Sequence, residues 1–391
     1  VRATLLGFTI PDTDFQQILR DDPVMPTQTQ KFAWALVDAL RQNGVELDLV
    51  STLPVSNFPA SPRLLVGRRI FSERGLSGLL LPCVNALVLK HLTRFIACLL
   101  FATPRIRQHR SEWLLLHGVH SPFLWYARVV RALLGVPIAA VLSDPPGVVR
   151  RSDGLLARVL KRLDIRVTRR ALSGFDAVIV LSKPLASDFA PGIPYLVMEG
   201  LVALPETSVP CRASGPPRIV YAGGLVQEYG VLNLARAVME SDLDVRVEFY
   251  GSGDAAPTLE QFSVEDPRIV APMLLDPAEL QSRYLRASLL VQPRPTDQDF
   301  VRYSFPSKLI EYMATGVPVV STRLPSIPAD YQPFVVWADS TDPRGLRQAI
   351  ETGLAPAVSG IGAEAAAFVR ATRSPDVQGR RIRDFLGEVA S

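Results

Sequence analysis

Cysteine is scarce in this chain of 391 residues: Cys83, Cys98 and Cys211 are odd in number and far apart. That excludes a disulfide framework and a cysteine metal site, and it suits a reducing compartment. Charge is thin too, at 20% of residues against 48% hydrophobic, which excludes general disorder. No GxSxG elbow, Walker loop or HExxH helix occurs, so the best-marked nucleophile, NTPase and zinc-protease signatures are missing. The acids Asp297 and Asp299 have no further ligands at useful spacing, and no metal is expected. At the amino end LLGFTIPDTDF soon meets acidic residues, as a first strand would and a secretory leader would not; the expected location is cytoplasmic.

What is present divides in two. The length calls for two domains of roughly 200 residues, and Pro205 to Pro217 (PETSVPCRASGPP) is the best linker, clustering Pro, Ser and Gly between strand patterns. The expected organisation is a first domain over 1–210, a linker over 211–217 and a second domain over 218–373. A last helix over 374–391 is placed to pack back on the first domain. Charge is uneven across the linker. Residues 1–210 hold 24 Lys and Arg against 16 Asp and Glu, and the remainder holds 18 against 22. A basic first half suits anionic lipid, nucleic acid or a phosphorylated substrate, although a count alone fits an ordinary solvated surface equally well.

Both halves alternate strand and helix. Residues 2–10, 45–55, 113–117, 136–144 and 176–182 read as strands, with helices from about Thr29 to Asn43 and over 123–134, the latter closed by Gly135. Leu79 to Thr103 is apolar enough to raise the membrane question. Lys90, His91 and Arg94 interrupt its middle, and a central charge costs about 3 kcal/mol on insertion scales. It reads as an amphipathic or buried helix flanked by arginines, open to peripheral membrane contact. After the linker the rhythm restarts with strands at 218–222, 245–250, 268–270, 288–291 and 317–320. The fold class expected is α/β, with two Rossmann-like doubly wound domains facing a cleft.

The richest stretch is Phe305 to Val320, FPSKLIEYMATGVPVV. Pro306 suits a helix start, Gly316 a left-handed stop, and the valines a buried strand. The amino end of such a helix is a place for phosphate, with Ser307 and Lys308 at hand and Glu311 a turn further in. Lys308 and Glu311 are also spaced for a plain surface ion pair. Gly223-Gly224, directly after a strand, permits close backbone approach to a pyrophosphate, or simply a tight turn. Gly251-x-Gly253 lacks the third glycine of the dinucleotide fingerprint but sits at a strand end. Arg294, Arg302 and Tyr303 are further candidates. In the first half His117 and His120 share a strand-end loop, and Asp144 ends the next strand.

These residues carry a resemblance. GlyGlyLeu…TyrGlyValLeuAsnLeu (223–234), PheTyrGlySerGlyAsp (249–254) and above all ArgTyrSerPheProSerLysLeuIleGluTyrMetAlaThrGlyValProValVal (302–320) resemble retaining glycosyltransferases of the GT-B fold, in particular the GT4-type branch that builds surface glycans. The likeness is good over 218–331 and looser over the first domain, where it rests mainly on 7–12 and on His120-Ser121-Pro122.

The resemblance implies transfer of a sugar from a nucleotide diphosphate-sugar to a glycan or lipid-linked acceptor, with retention and with neither metal nor cofactor. No nucleic acid partner is expected. Glu311 would hold the donor ribose; Ser307 and Lys308 would meet the diphosphate, with Gly223, Gly224 and Gly251 in loops beside it. One of His117 and His120 would lie beside the transferred sugar. The chain departs from the broader family at three places. Gly224 and Tyr229 stand where an arginine and a lysine are usual, and Tyr303 stands for a glutamate eight residues before Glu311. Lys308, Arg294 or Arg302 would then have to meet the leaving-group charge. Two rival readings follow from these departures and from the architecture: a catalytically silent sugar-nucleotide-binding subunit, and a nucleotide-sugar 2-epimerase.

Overall fold

The structure is a computed structural model that describes residues 1–21, 27–143, 145, 154–202, 210–211, 215–358 and 360–391; the side chains of 27–29, 155–157, 160, 299 and 300 lie outside that description. The chain forms two units, Val1–Leu201 with Pro375–Ser391, and Val202–Ser374. The division falls ahead of the Pro-rich stretch, most of which lies outside the described residues, as do Asp144 and Pro26.

Unit 1 opens with β1 (Arg2–Gly7), α1 (Asp12–Asp21), α2 (Thr27–Gln42) and β2 (Glu46–Ser51). Short strands follow: β3 (Leu65–Val66), β4 (Arg69–Glu73), β5 (Leu76–Leu80) and β6 (Cys83–Val84). A continuous helical stretch comes next, α3 (Leu87–Ala97), a π turn at Cys98–Ala102 and α4 (Thr103–His109). The unit continues through β7 (Trp113–His117), α5 (Ser121–Leu134), β8 (Ile138–Leu142), α6 (Leu155–Leu172), β9 (Ala177–Val180), α7 (Lys183–Phe189) and β10 (Tyr195–Val197). Its sheet runs β10-β9-β8-β7-β1-β2-β5-β4, parallel except for the edge strand β4, and β3 pairs separately with β6. The central strands β7, β8 and β9 are buried residue by residue, as continuous apolar runs covered on both faces must be.

Unit 2 contains β11 (Arg218–Ala222), α8 (Val231–Met239), β12 (Arg246–Tyr250), α9 (Ala256–Glu265), β13 (Ile269–Met273), α10 (Pro277–Arg286) and β14 (Leu289–Gln292). Then come α11 (Ser307–Ala314), β15 (Val319–Thr322), β16 (Val336–Ala338), α12 (Pro343–Leu354) and α13 (Ile361–Thr372). The sheet is wholly parallel in the order β13-β12-β11-β14-β15-β16. In each sheet the first strand of the unit lies inside, with its sequence neighbour on one side and a later strand on the other. That reversal of strand order opens a crevice at the carboxyl ends, between β1 and β7 and between β11 and β14.

Two sequence expectations are corrected. The apolar run from Leu79 is not one helix: Leu79 and Leu80 finish β5, and the helix begins only at Leu87. Pro82 supplies the break, since it fixes φ and has no N–H to donate. Between the strand expected over 2–10 and the helix expected from about Thr29 no helix is expected, yet that segment holds α1, which buries Phe15 and Ile18.

The last helix, α14 (Pro375–Ala390), returns to unit 1 and lies across α2. Asn43 Nδ2 donates to the carbonyl of Ala39 within α2 and to that of Asp376 in α14, each at 2.9 Å. Gly379 makes the close approach possible: a Cβ there would stand 2.2 Å from the Ala39 carbonyl oxygen. Gly379→Val should therefore destabilise unit 1 by about 1–3 kcal/mol, the usual range for overpacking. A lowered unfolding midpoint in calorimetry, with unit 2 unfolding unaffected, checks this.

Candidate functional site

The carboxyl end of β11 in unit 2 gathers most of the sequence candidates. Gly223 and Gly224 follow the strand directly, and the loop after β12 lies on them backbone to backbone. Gly223 N–H donates to Tyr250 O and Leu225 N–H to Ser252 O, both at 2.9 Å. Gly251 must be glycine here: its φ is +144°, and a Cβ would come within 1.9 Å of the Gly223 carbonyl oxygen.

Helix α11 is tied to the same strand end by one buried phenol. Tyr312 Oη accepts from the Ala222 N–H at 2.7 Å and donates to the Ala222 carbonyl at 3.0 Å. Lys308 lies one turn earlier on that face. Its ammonium donates to Glu311 Oε2 in a short ion pair and reaches Tyr284 Oη at 3.4 Å, while the Tyr284 ring meets Tyr312 edge to face. The two side chains expected at phosphate and ribose are thus paired with each other, both partly exposed. Ser307 is exposed as the first residue of the helix. Pro306 is its cap rather than part of its first turn, and no side chain caps the end, so the first N–H groups keep their positive dipole.

Arg294 follows β14 on the other side of β11. Its guanidinium lies 4.6 Å from the centre of the Tyr229 ring, and Nη1 reaches Ser304 Oγ at 3.5 Å in the loop leading to α11. The Tyr229 ring in turn fills the space beside Gly224, whose added Cβ would stand 3.3 Å from Cε2. A tyrosine and a stacked arginine from another strand thus occupy the neighbourhood of Gly224. Burial lowers the Arg294 pKa, but a guanidinium remains charged at any ordinary pH. Tyr303 is half-buried under the Arg302 guanidinium, 5.7 Å from its ring centre. The sequence reading missed the tyrosines Tyr221, Tyr284 and Tyr312. Tyr312 was visible as part of the motif, but only pairing with a strand ninety residues earlier gives it a purpose.

In unit 1 the two candidate histidines occupy different surroundings. His117 ends β7 with 1% exposure, stacked on Phe32 at 5.4 Å, and neither ring nitrogen has a hydrogen-bond partner. Burial lowers its pKa to about 4. His120 precedes α5 and is half-buried, with its ring among Phe8, His91 and Phe123. Arg94 Nη1 lies 3.2 Å from His120 Nε2. A guanidinium can only donate, so Nε2 accepts and the proton of this neutral ring sits on Nδ1. Burial, reinforced by Arg94, His91 and Lys90, holds the His120 pKa well below its usual value. Of the pair, His120 is the more exposed and the one whose Nδ1–H is left as a donor.

The fold defined by these two units has counterparts among solved structures. A sucrose-phosphate synthase from Thermosynechococcus elongatus superposes with a TM-score of 0.68 at 13% identity, covering 100% of this chain and 99% of the other. A lipopolysaccharide outer core galactosyltransferase, WaaB, gives 0.67 at 10% with 99% of each chain covered. Anabaena HepE in complex with UDP gives 0.64 at 12%, covering 99% of this chain and all of the other. At such identities the likeness is one of fold, and that fold is GT-B. Residues 216–355, within unit 2, match the family described as glycosyl transferases group 1. No curated protein matches the sequence.

A neutral buried His117 has a consequence for acid stability. Its pKa is about 4 in the folded chain and about 6.5 when unfolded, so only the unfolded state takes up the proton between those values. The contribution is fully present above pH 6.5 and is lost as pH falls toward 4, in total of order 3 kcal/mol. Urea unfolding at pH 7 and pH 5 should show unit 1 weaker at pH 5, and His117→Phe should flatten that difference.

Proposed function

We propose that this chain is a glycosyltransferase that moves a sugar from a nucleotide diphosphate-sugar to a glycan or lipid-linked acceptor in surface-polysaccharide synthesis, with retention at the anomeric carbon and without a bound metal. The observation that carries the reading is the grouping at the carboxyl end of β11. The backbone of Gly223, Gly224 and Gly251, the Arg294 guanidinium and the uncapped start of α11 with Ser307 and Lys308 are joined there by hydrogen bonds and ring contacts. Free N–H groups at a helix start and two cations suit a departing diphosphate.

In this reading Glu311 exchanges its bond to Lys308 for the two ribose hydroxyls, and the released ammonium turns to the phosphates. Arg294 supplies charge that Gly224 and Tyr229 lack. His120, neutral and protonated on Nδ1, donates a hydrogen bond to the transferred sugar. Three of the similar structures are described as complexes with UDP, one of them also with glucose and another with alpha-GlcNAc-glycerol. That supports a uridine nucleotide as the first donor to try. The basic balance of residues 1–210 supports an anionic acceptor or membrane surface on the cytoplasmic side.

Glu311→Ala should weaken nucleotide-sugar binding by about tenfold or more, the loss of hydrogen bonds to a charged acceptor. Calorimetric titration with UDP-, GDP- and dTDP-sugars reads this, and an unchanged affinity would remove the ribose assignment. Arg294→Met should cut turnover by about a hundredfold, as loss of one transition-state donor does, with a smaller effect on donor affinity. Radiolabel transfer and donor hydrolysis are the assays. Nucleotide binding with no turnover on any acceptor pool would instead identify a silent subunit, and a product epimerised at carbon 2 an epimerase.

A further inference from the structure

Helix α3 with its π turn and α4, Leu87–His109, is long and apolar enough to cross a membrane. Its polarity is nevertheless reversed relative to an ordinary surface helix. The charged residues Lys90 and Arg94 point inward and are buried. Lys90 Nζ donates to the Val55 carbonyl and to Asn57 Oδ1, and Arg94 Nη2 donates to the Leu53 carbonyl at 2.7 Å. The apolar residues point outward: Val88 is 75% exposed, Leu92 54%, Ile96 43% and Leu100 60%. Leu87 and Leu89 are exposed beside them.

The neighbouring strand pair extends this face. Strand β6 packs on α3, and its partner β3 exposes 73% of Leu65. Arg68, in the turn after β3, lies over the Phe101 ring of the π turn at 4.9 Å. Isolated exposed leucines are ordinary, but a row at four-residue spacing joined to a second exposed element is a patch that asks for an occupant.

Charge indicates which occupant. From Arg74 to Ser111 the sequence contains no Asp or Glu but does contain Arg74, Lys90, Arg94, Arg105, Arg107 and Arg110. Among the described residues, Arg68, Arg107 and Arg110 are exposed and pair with no carboxylate. Apolar side chains rimmed by unpaired arginines match the acyl boundary and headgroups of an anionic bilayer. A spanning arrangement is disfavoured, because it would strip Lys90 and Arg94 of their backbone acceptors inside unit 1.

We propose that the outer face of Leu87–Leu100, with Leu65 and the flanking Arg68, Arg107 and Arg110, is the surface through which unit 1 lies on an anionic lipid membrane. The helix rests in the interface plane with Val88, Leu92, Ile96 and Leu100 in the acyl boundary. This deepens the membrane contact in the reading above and does not depend on the sugar-transfer chemistry. A failure of vesicle binding would leave the donor titrations intact.

The test is sedimentation of the full chain with vesicles of phosphatidylglycerol and phosphatidylcholine, and with phosphatidylcholine alone. Binding is expected to the anionic vesicles, weakened about tenfold when salt rises from about 0.1 M to about 0.5 M. Val88→Glu combined with Leu92→Glu should reduce it at least about tenfold, and both changes are on exposed positions that leave the fold intact by circular dichroism. As a second readout, Leu92→Trp should shift its emission to the blue on anionic vesicles. No binding to anionic vesicles, equal binding by the double variant, or a dimer in sedimentation velocity that the double variant dissolves would each overturn the proposal.

Discussion

One phenol holds the candidate site of unit 2 together. Tyr312 spends its donor and an acceptor position on the N–H and the C=O of a single residue, Ala222, the last of β11. A buried hydroxyl must be paired, and a strand end leaves peptide groups unpaired; each solves the other's problem. Breaking the contact would strand three polar atoms away from water. The consequence is positional. Helix α11 cannot slide along the sheet without losing this pair, so Lys308, Ser307 and Glu311 stay registered to Gly223 and Gly224.

The surrounding tyrosines extend the same logic. Tyr284 packs edge to face on Tyr312 and offers its hydroxyl to Lys308, and Tyr221 Oη donates to the Gly224 carbonyl at 2.9 Å. Burial pushes the pKa values of all three phenols up, so they serve as neutral donors and acceptors rather than as acids. Unit 1 solves a related problem with cations. Lys90 and Arg94 satisfy carbonyls of the 53–57 loop, and Arg94 also fixes the proton on His120. Placing those two cations inside forces the apolar residues of α3 outside. One arrangement therefore accounts both for the state of His120 and for the exposed face.

Much of the fold could be read along the chain because its cues are local. The apolar runs at 113–117 and 218–222 are strands, Gly135 and Gly316 do close helices with positive φ, and α11 begins at the Ser307 of the motif. Reading failed where two elements share one apolar stretch. Leu79 to Thr103 contains the end of β5, the short β6 and α3, and hydrophobicity alone does not mark where pairing in a sheet gives way to a helix.

By itself, the sequence determined the class: two α/β units, and a helix start rich in Ser, Lys and Glu after a strand. Periodicity, capping and composition act over a few residues and survive in the bare chain. Only the tertiary structure decided which candidates lie together. It set Arg294 on Tyr229, chose His120 over the buried His117 as the accessible histidine, and turned Lys90 and Arg94 inward. Those outcomes depend on strand order and on which peptide groups remain to be satisfied, and both arise from contacts between residues tens of positions apart.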